Sequence, residues 1–252
     1  TNYKNSSIYF FVFFLHRSVL YMNFENKLIS GQFIKRYKRF FVDVKIKGKI
    51  ITAHCPNTGS MYGLLKKGNK VWLTESNNPK RKLKYTLQII QENKSKVGVN
   101  THLTNKIVLH ALTNNLIREF DAKIQIKPET NFGSTTRFDF LITKNNFKAF
   151  IEVKNVTLSR VKGLAEFPDA ITTRGLKHIN ELINASKKGY KIFILYLIQR
   201  EDAKFFKIAK DIDPNYSNSL SKAVKKKLNI LCYDCKFSSK GIILNQKVKF
   251  KI

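Results

Sequence analysis

Acidic side chains are scarce in this 252-residue sequence: 17 Asp and Glu stand against 47 Lys and Arg, a formal net charge of +30. So large an imbalance argues against cationic partners and for a polyanion, with nucleic acid first. Cysteine is scarce too. Three thiols, Cys55, Cys232 and Cys235, do not make a disulfide framework, so a reducing cytoplasm is the expected compartment. Cys232 and Cys235 have C-x-x-C spacing, but ILCYDC reads as a strand, where residues three apart face opposite sides, and no second pair completes a zinc site. Long apolar runs are also lacking. The stretch IYFFVFFL, residues 8–15, falls well short of the roughly 20 residues that a membrane-spanning helix needs, and no small-residue cleavage site follows it. Residues 1–21 therefore read either as an export or membrane signal or as an extension ahead of Met22. The second reading agrees with a globular pattern that begins only at Phe24, and no membrane partner is expected.

What is present is 43% hydrophobic content, enough for a sizeable core in one large or two modest domains. From Gln32 to Asn100 short strands alternate with turn residues: QFIKRY, FFVDVKI, KIITAHC, KVWLTES and KYTLQIIQ, broken at Lys47-Gly48, Pro56-Asn57-Thr58-Gly59 and Asn77-Asn78-Pro79. About five strands in this span predict a small barrel of the OB type over residues 22–100. Its entrance strand, KRYKRFF, interleaves bases with rings. Lys35, Arg36, Tyr37, Lys38 and Arg39, with Arg81 and Lys82 in the later stretch KRKLK, are the candidate nucleic-acid contacts. The alternative is that Phe40 and Phe41 belong to the barrel core and the lysines are merely solvated.

From residue 101 the pattern changes. Ile107, Val108, Ala111, Leu112 and Leu116 predict a helix with Thr104 as N-cap, and a hairpin follows at 137–154. A second helix is expected from Thr172 to Lys188, ended by Gly189. YKIFILYLI then reads as a strand buried on both faces, as parallel strands are. A further helix, SNSLSKAVKKKLN, and the strand ILCYDC complete an α/β domain over 101–252, a mixed sheet covered by helices.

The hairpin, RFDFLITKNNFKAFIEVKNV, places acids among its most apolar residues. With Asn145 and Asn146 at the centre of the turn, Asp139 falls opposite Glu152 and Arg137 opposite Lys154. Like charges that close are destabilising unless compensated, and a divalent cation would compensate them. Glu152 and Lys154, two apart on one strand, share a face. Two carboxylates able to hold Mg²⁺, with Mn²⁺ as substitute, and an ammonium beside them are the parts of metal-assisted phosphodiester hydrolysis. The alternative is that each acid simply pairs with a cation, Arg137 and Lys154 being the candidates.

The stretches IKRYKRFFVDV, HCPNTGSM, NPKRKLKYTLQ, VGVNTHLTNKIV, RFDFLI, IEVKNVTL and FPDAITTRGLKHINEL, in this order, resemble the sugar fermentation stimulation protein A family from about Phe24 to the C-terminus. The resemblance implies an OB-like domain followed by a PD-(D/E)xK, restriction-endonuclease-like domain. It maps that signature onto Asp139, Glu152 and Lys154, and an upstream acidic position, a third candidate metal ligand, onto Glu129. His178 and Glu181 fall on a following K-H-x-x-E-L helix where, with Arg137, they would line the same cleft; solvated helix residues are the alternative. Thr136 departs from the Ser usual before the Arg. The family's description implies DNA binding without sequence preference and a regulatory role in sugar, notably maltose, metabolism. An active Mg²⁺-dependent nuclease acting on DNA or RNA is the second expectation, and an RNA-associated protein with the α/β domain as scaffold the third.

Overall fold

The computed structural model describes residues 21–120, 123–134 and 136–251, so the apolar run at 8–15 lies outside them. It opens with a two-residue strand, β1 (Met22–Asn23). Alternating apolar and polar residues then form β2 (Leu28–Tyr37), β3 (Phe41–Ile46), β4 (Lys49–His54), β5 (Lys70–Glu75), β6 (Tyr85–Glu92) and β7 (Ser95–Gly98). These six make one sheet in the order β4-β3-β2-β5-β6-β7, and a β4–β6 pairing between His54 and Thr86 closes it on itself. The inward residues, among them Phe33, Val42, Val44, Val71, Leu73 and Leu87, are buried and form the barrel's own core. Lys47 and Gly48, with φ of +46° and +85°, make the tight turn between β3 and β4.

The second domain starts with a 3-10 turn (Thr101–Leu103) leading into α1 (Thr104–Thr113). Thr104 is not the cap expected of it. Asn100 caps the 3-10 turn instead, accepting from the His102 N–H, and Thr104 sits buried inside the run. The remaining elements are β8 (Gln125–Phe132), β9 (Thr136–Lys144), β10 (Phe147–Val156), β11 (Leu158–Val161), β12 (Leu164–Phe167), α2 (Thr173–Lys187), β13 (Lys191–Ile198), β14 (Phe205–Ile208), α3 (Pro214–Lys225), β15 (Asn229–Phe237), β16 (Gly241–Lys247) and β17 (Lys249–Lys251). Thr172 caps α2 by accepting from Gly175, and Asp213 caps α3 by accepting from Tyr216.

A seven-stranded sheet runs β1-β16-β15-β13-β10-β9-β8, with a parallel centre (β10, β13, β15) and antiparallel edges. β1 therefore joins this sheet through Met22 and Ile242, although residue 22 was expected to open the barrel. β13 is buried on both faces, as its unbroken apolar run requires. One face packs on α1 through Ile107, Val108, Ala111 and Leu112, the other on α2 and α3 through Ile179, Leu182, Tyr216 and Leu220. Cys232 and Cys235 fall on these opposite faces, each buried. A small sheet, β11-β12-β14-β17, flanks the domain. No helix among the described residues is long and apolar enough to cross a membrane.

The two domains are tied together at β7. Gly98 donates its N–H to the Gln199 carbonyl at 2.9 Å, and a Cβ there would lie 2.4 Å from the Gln199 amide oxygen and 2.9 Å from the Phe237 ring, so any larger residue would have to push these side chains aside. Beside it the buried Arg200 binds Glu92 from the barrel (2.5 Å), Asp202 (2.9 Å) and the Thr157 carbonyl (2.9 Å). Paired on every side, this charge can lie in the seam.

Candidate metal centre and nucleic-acid surface

Strands β9 and β10 meet around Asn145 and Asn146, with Asn145 at φ +50°, and their ladder runs from Lys144↔Phe147 to Phe140↔Ile151. There it stops, one pair short of Asp139 and Glu152. β9 changes face at this point: Phe138 packs on the α2 side, whereas Phe140 and Ile142 pack on the α1 side. The Asp139 carboxylate fills the gap, accepting the Val153 N–H at 2.7 Å and the Asn105 amide of α1 at 2.7 Å. Asp139 thus takes over the backbone bond that the ladder no longer supplies.

Glu152 projects from β10 toward α2 and is 3% exposed. Its Oε1 accepts from the Lys154 ammonium at 2.7 Å and from His178 Nδ1 at 2.5 Å, while Oε2 is buried with no partner among the described residues. A buried carboxylate oxygen without a partner is costly and asks for a ligand. Burial pushes Glu152 up, but Lys154 and then His178 outweigh it and hold the carboxyl below its ordinary value. Asp139 goes the other way: burial, and next the charge of Glu152, raise it to about 6. The two neighbouring acids are thus pushed in opposite directions, Glu152 toward its charged form and Asp139 toward its neutral one.

Asp139 opens into a cleft of about 640 Å³ lined also by Asn105, Glu129, Arg137, Thr173, Arg174, Lys177 and His178. Glu152 and Lys154 lie behind this lining. Arg137 does not oppose Lys154. It pairs across β8 with Asn131, and its guanidinium binds Glu129 at 2.8 Å, so neither acid of the hairpin takes it as a partner. Glu129 is occupied by that pair on the edge strand, at φ +52°, and does not complete a three-acid cluster; among the described residues no group of three or more His, Cys, Asp or Glu gathers as metal ligands. Glu181 lies off the cleft and accepts from Asn184. Asn105, Arg174 and Lys177 were not singled out from the sequence. Only helical spacing, with His178 four residues after Arg174 and Lys177 three after it, could have placed them on the same wall.

The barrel residues divide. Lys38, Arg39 and Phe40 form the exposed β2–β3 turn, with Lys38 and Arg39 at φ +47° and +61° and Phe40 47% exposed. Neither Phe40 nor Phe41 enters the barrel core; Phe41 stacks on Tyr37 at 5.5 Å. Lys35 sits over the Tyr37 ring and 3.8 Å from Asp43. Arg36 is committed elsewhere, holding the carbonyls of Arg39, Gly59 and Asn57. Arg81 binds Thr86 at 2.8 Å, and Lys82 is exposed.

With this geometry in hand, comparison with known proteins decides the family. The profile of the sugar fermentation stimulation protein RE domain matches residues 102–241, and that of the SfsA N-terminal OB domain matches residues 34–99. The chain belongs to the sugar fermentation stimulation protein (SfsA) family. An SfsA homolog of Pelagibacter ubique is 56% identical over 228 residues, covering 90% of this chain and 98% of that protein. One from Bartonella henselae is 41% identical over 232 residues, covering 91% and 99%. The solved structure of Pyrococcus furiosus SfsA in complex with Ca²⁺ superposes with a TM-score of 0.82 at 26% identity, covering 92% of this chain and 98% of that one. The OB barrel followed by a mixed α/β sheet is thus the architecture of SfsA proteins.

Proposed function

We propose that this SfsA protein binds DNA with little regard to sequence and holds a hard divalent cation, Mg²⁺ or in its place Mn²⁺, between Asp139 and Glu152. The observation that carries the reading is the orphaned Glu152 Oε2 beside a carboxylate whose affinity for protons is raised. Two protein oxygens suit Mg²⁺, which keeps much of its water and shares phosphate ligands, better than they suit a closed protein cage. A related chain is described in complex with Ca²⁺, a cation of the same hard class. When bound, the cation would neutralise both acids and polarise a phosphate oxygen. The chain's own part is to aim Asp139 through Asn105 and Val153, to hold Glu152 ionised through Lys154 and His178, and to offer Arg137, Arg174 and Lys177 to the strand. Regulation of sugar metabolism would then act through occupancy of DNA. Fluorescence anisotropy with duplexes of unrelated sequence tests the reading: Mg²⁺ should tighten binding by wild type and not by Glu152→Gln, and equal tightening in both contradicts it.

A second reading, divalent-dependent phosphodiester hydrolysis, is favoured by Lys154, whose side chain is 12% exposed and whose ammonium is fixed on Glu152 where it could orient a water or steady the scissile phosphate. Single-stranded, duplex and flap DNA, and RNA, incubated with Mg²⁺ or Mn²⁺ and either protein, separate the two. Cleavage by wild type and not by Glu152→Gln makes the protein a nuclease; metal-enhanced binding without cleavage leaves it a binder.

A further inference from the structure

A second cavity, of about 320 Å³, lies in the seam where the barrel meets the start of α1. Its cationic lining comes from both domains: His54 at the end of β4, Arg81 before β6, His102 in the 3-10 turn and Lys106 on α1. None of these belongs to the cleft of Asp139, although the adjacent Asn105 does, so the two hollows share the first turn of α1.

The polar back wall of this cavity is already satisfied. Gln88 donates to Thr74 at 2.8 Å and accepts from Asn100 at 2.8 Å, while the Asn100 carbonyl oxygen accepts from the His102 backbone. That chain is internally paired and therefore fixed in place. Of the basic groups in front of it, Lys106 is paired with Glu25, whereas the Arg81 guanidinium and the two imidazoles are less occupied. Arg81 uses only one of its terminal nitrogens, toward Thr86 and His54 Nδ1 (3.4 Å), and has no carboxylate partner among the described residues. A guanidinium only donates, so His54 Nδ1 accepts and its proton sits on Nε2, for which no partner is found among the described residues. The His102 ring lies 6.2 Å from that of His54 and makes no side-chain hydrogen bond among the described residues. The one carboxylate in the lining, Glu25, is highly exposed and turned to Lys106 at 3.3 Å. Burial first, and then Arg81 and His102, hold His54 below its ordinary value.

A rigid polar wall faced by a guanidinium and two imidazoles with spare donors, its one lining acid, Glu25, highly exposed and paired with Lys106, is complementary to a compact, multiply charged oxyanion. We propose that this seam pocket is a binding site for a phosphate monoester dianion, anchored by Arg81 with His54 and His102. The ligand could be the terminal phosphate of a nucleic-acid strand or a free phosphate or mononucleotide; the chemistry recognised is the same. The site does not depend on a cation at Asp139 and Glu152.

Isothermal titration of the full chain with inorganic phosphate at constant ionic strength tests it. One saturable site is expected, weakened roughly tenfold or more in Arg81→Met and in His102→Ala and unchanged in Glu152→Gln. Because Arg81 also steadies Thr86, the wild-type chain supplies an independent reading: phosphate should shift the NMR ring resonances of His54 and His102 and leave that of His110 in place. Two further arms find the source. A short oligonucleotide binding more tightly with a 5′ phosphate than with a 5′ hydroxyl, the gain lost in Arg81→Met, puts the phosphate on a strand end; no such gain, with adenosine monophosphate competing against phosphate, puts it on a small molecule. No saturable phosphate binding, or binding equal in wild type, Arg81→Met and His102→Ala, overturns the proposal.

Discussion

Asp139 and Glu152 are near neighbours with opposite electrostatic fates, and the difference is testable. Asp139, raised from 3.8 to about 6, favours the folded state below about pH 4 and loses that contribution as pH rises through about 6. Above that, its charge is held against burial and against Glu152. Asp139→Asn is therefore expected to stabilise the cation-free protein at neutral pH by about 1–3 kcal/mol, read as a melting temperature a few degrees higher. The same variant should lose any stabilisation by Mg²⁺. A melting point below wild type at neutral pH would show that the hydrogen bonds to Val153 and Asn105 outweigh the charge. Because proton and cation compete for one carboxylate, Mg²⁺ affinity should also rise from about pH 5.5 to about pH 7.5. Calorimetry at the two values checks this, and a pH-independent affinity would remove Asp139 from the site.

Among the elements, those with a strong apolar period were legible in sequence. β13 announces itself by a run with no polar face, α2 by its apolar spacing and the glycine after it, and the β9–β10 turn by its paired asparagines. What escaped was set by tertiary context. β8 carries Pro128 and is tolerated only because it is the edge strand. The hairpin register was readable, but not that β9 would change face at Asp139, because that turn of the strand depends on β8 and α1 as much as on β9 itself. Nothing local reveals that Arg36 would fasten the Asn57–Gly59 loop or that Arg81 would also reach Thr86. The seam between β7 and the end of β13 was equally hidden. Arg200→Met there leaves Glu92 and Asp202 facing each other without a cation, and a loss of about 3–5 kcal/mol is expected in chemical denaturation. A loss below about 1 kcal/mol would mean that water readily enters the seam.

Taken whole, the molecule is a cationic body, +30 in net charge, with 17 acids against 47 bases. Affinity for DNA should therefore rest on phosphate contacts and counterion release, falling roughly 10³-fold or more between about 50 and 200 mM salt if six or more phosphates are engaged. Anisotropy titrations across that range check it, and a near-flat salt dependence would point to a different partner. Charge of this kind would bring a strand to the surface but perform no chemistry; under the proposed reading, chemistry would depend on one ion held by Asp139 and Glu152. Titrating Mn²⁺ into wild type, Asp139→Asn and Glu152→Gln, followed by calorimetry, addresses that dependence most directly. One saturable site in wild type is expected, weakened by about tenfold to a hundredfold in each variant. Affinities equal in all three proteins, or no saturable site in any of them, would contradict a cation centre at Asp139 and Glu152.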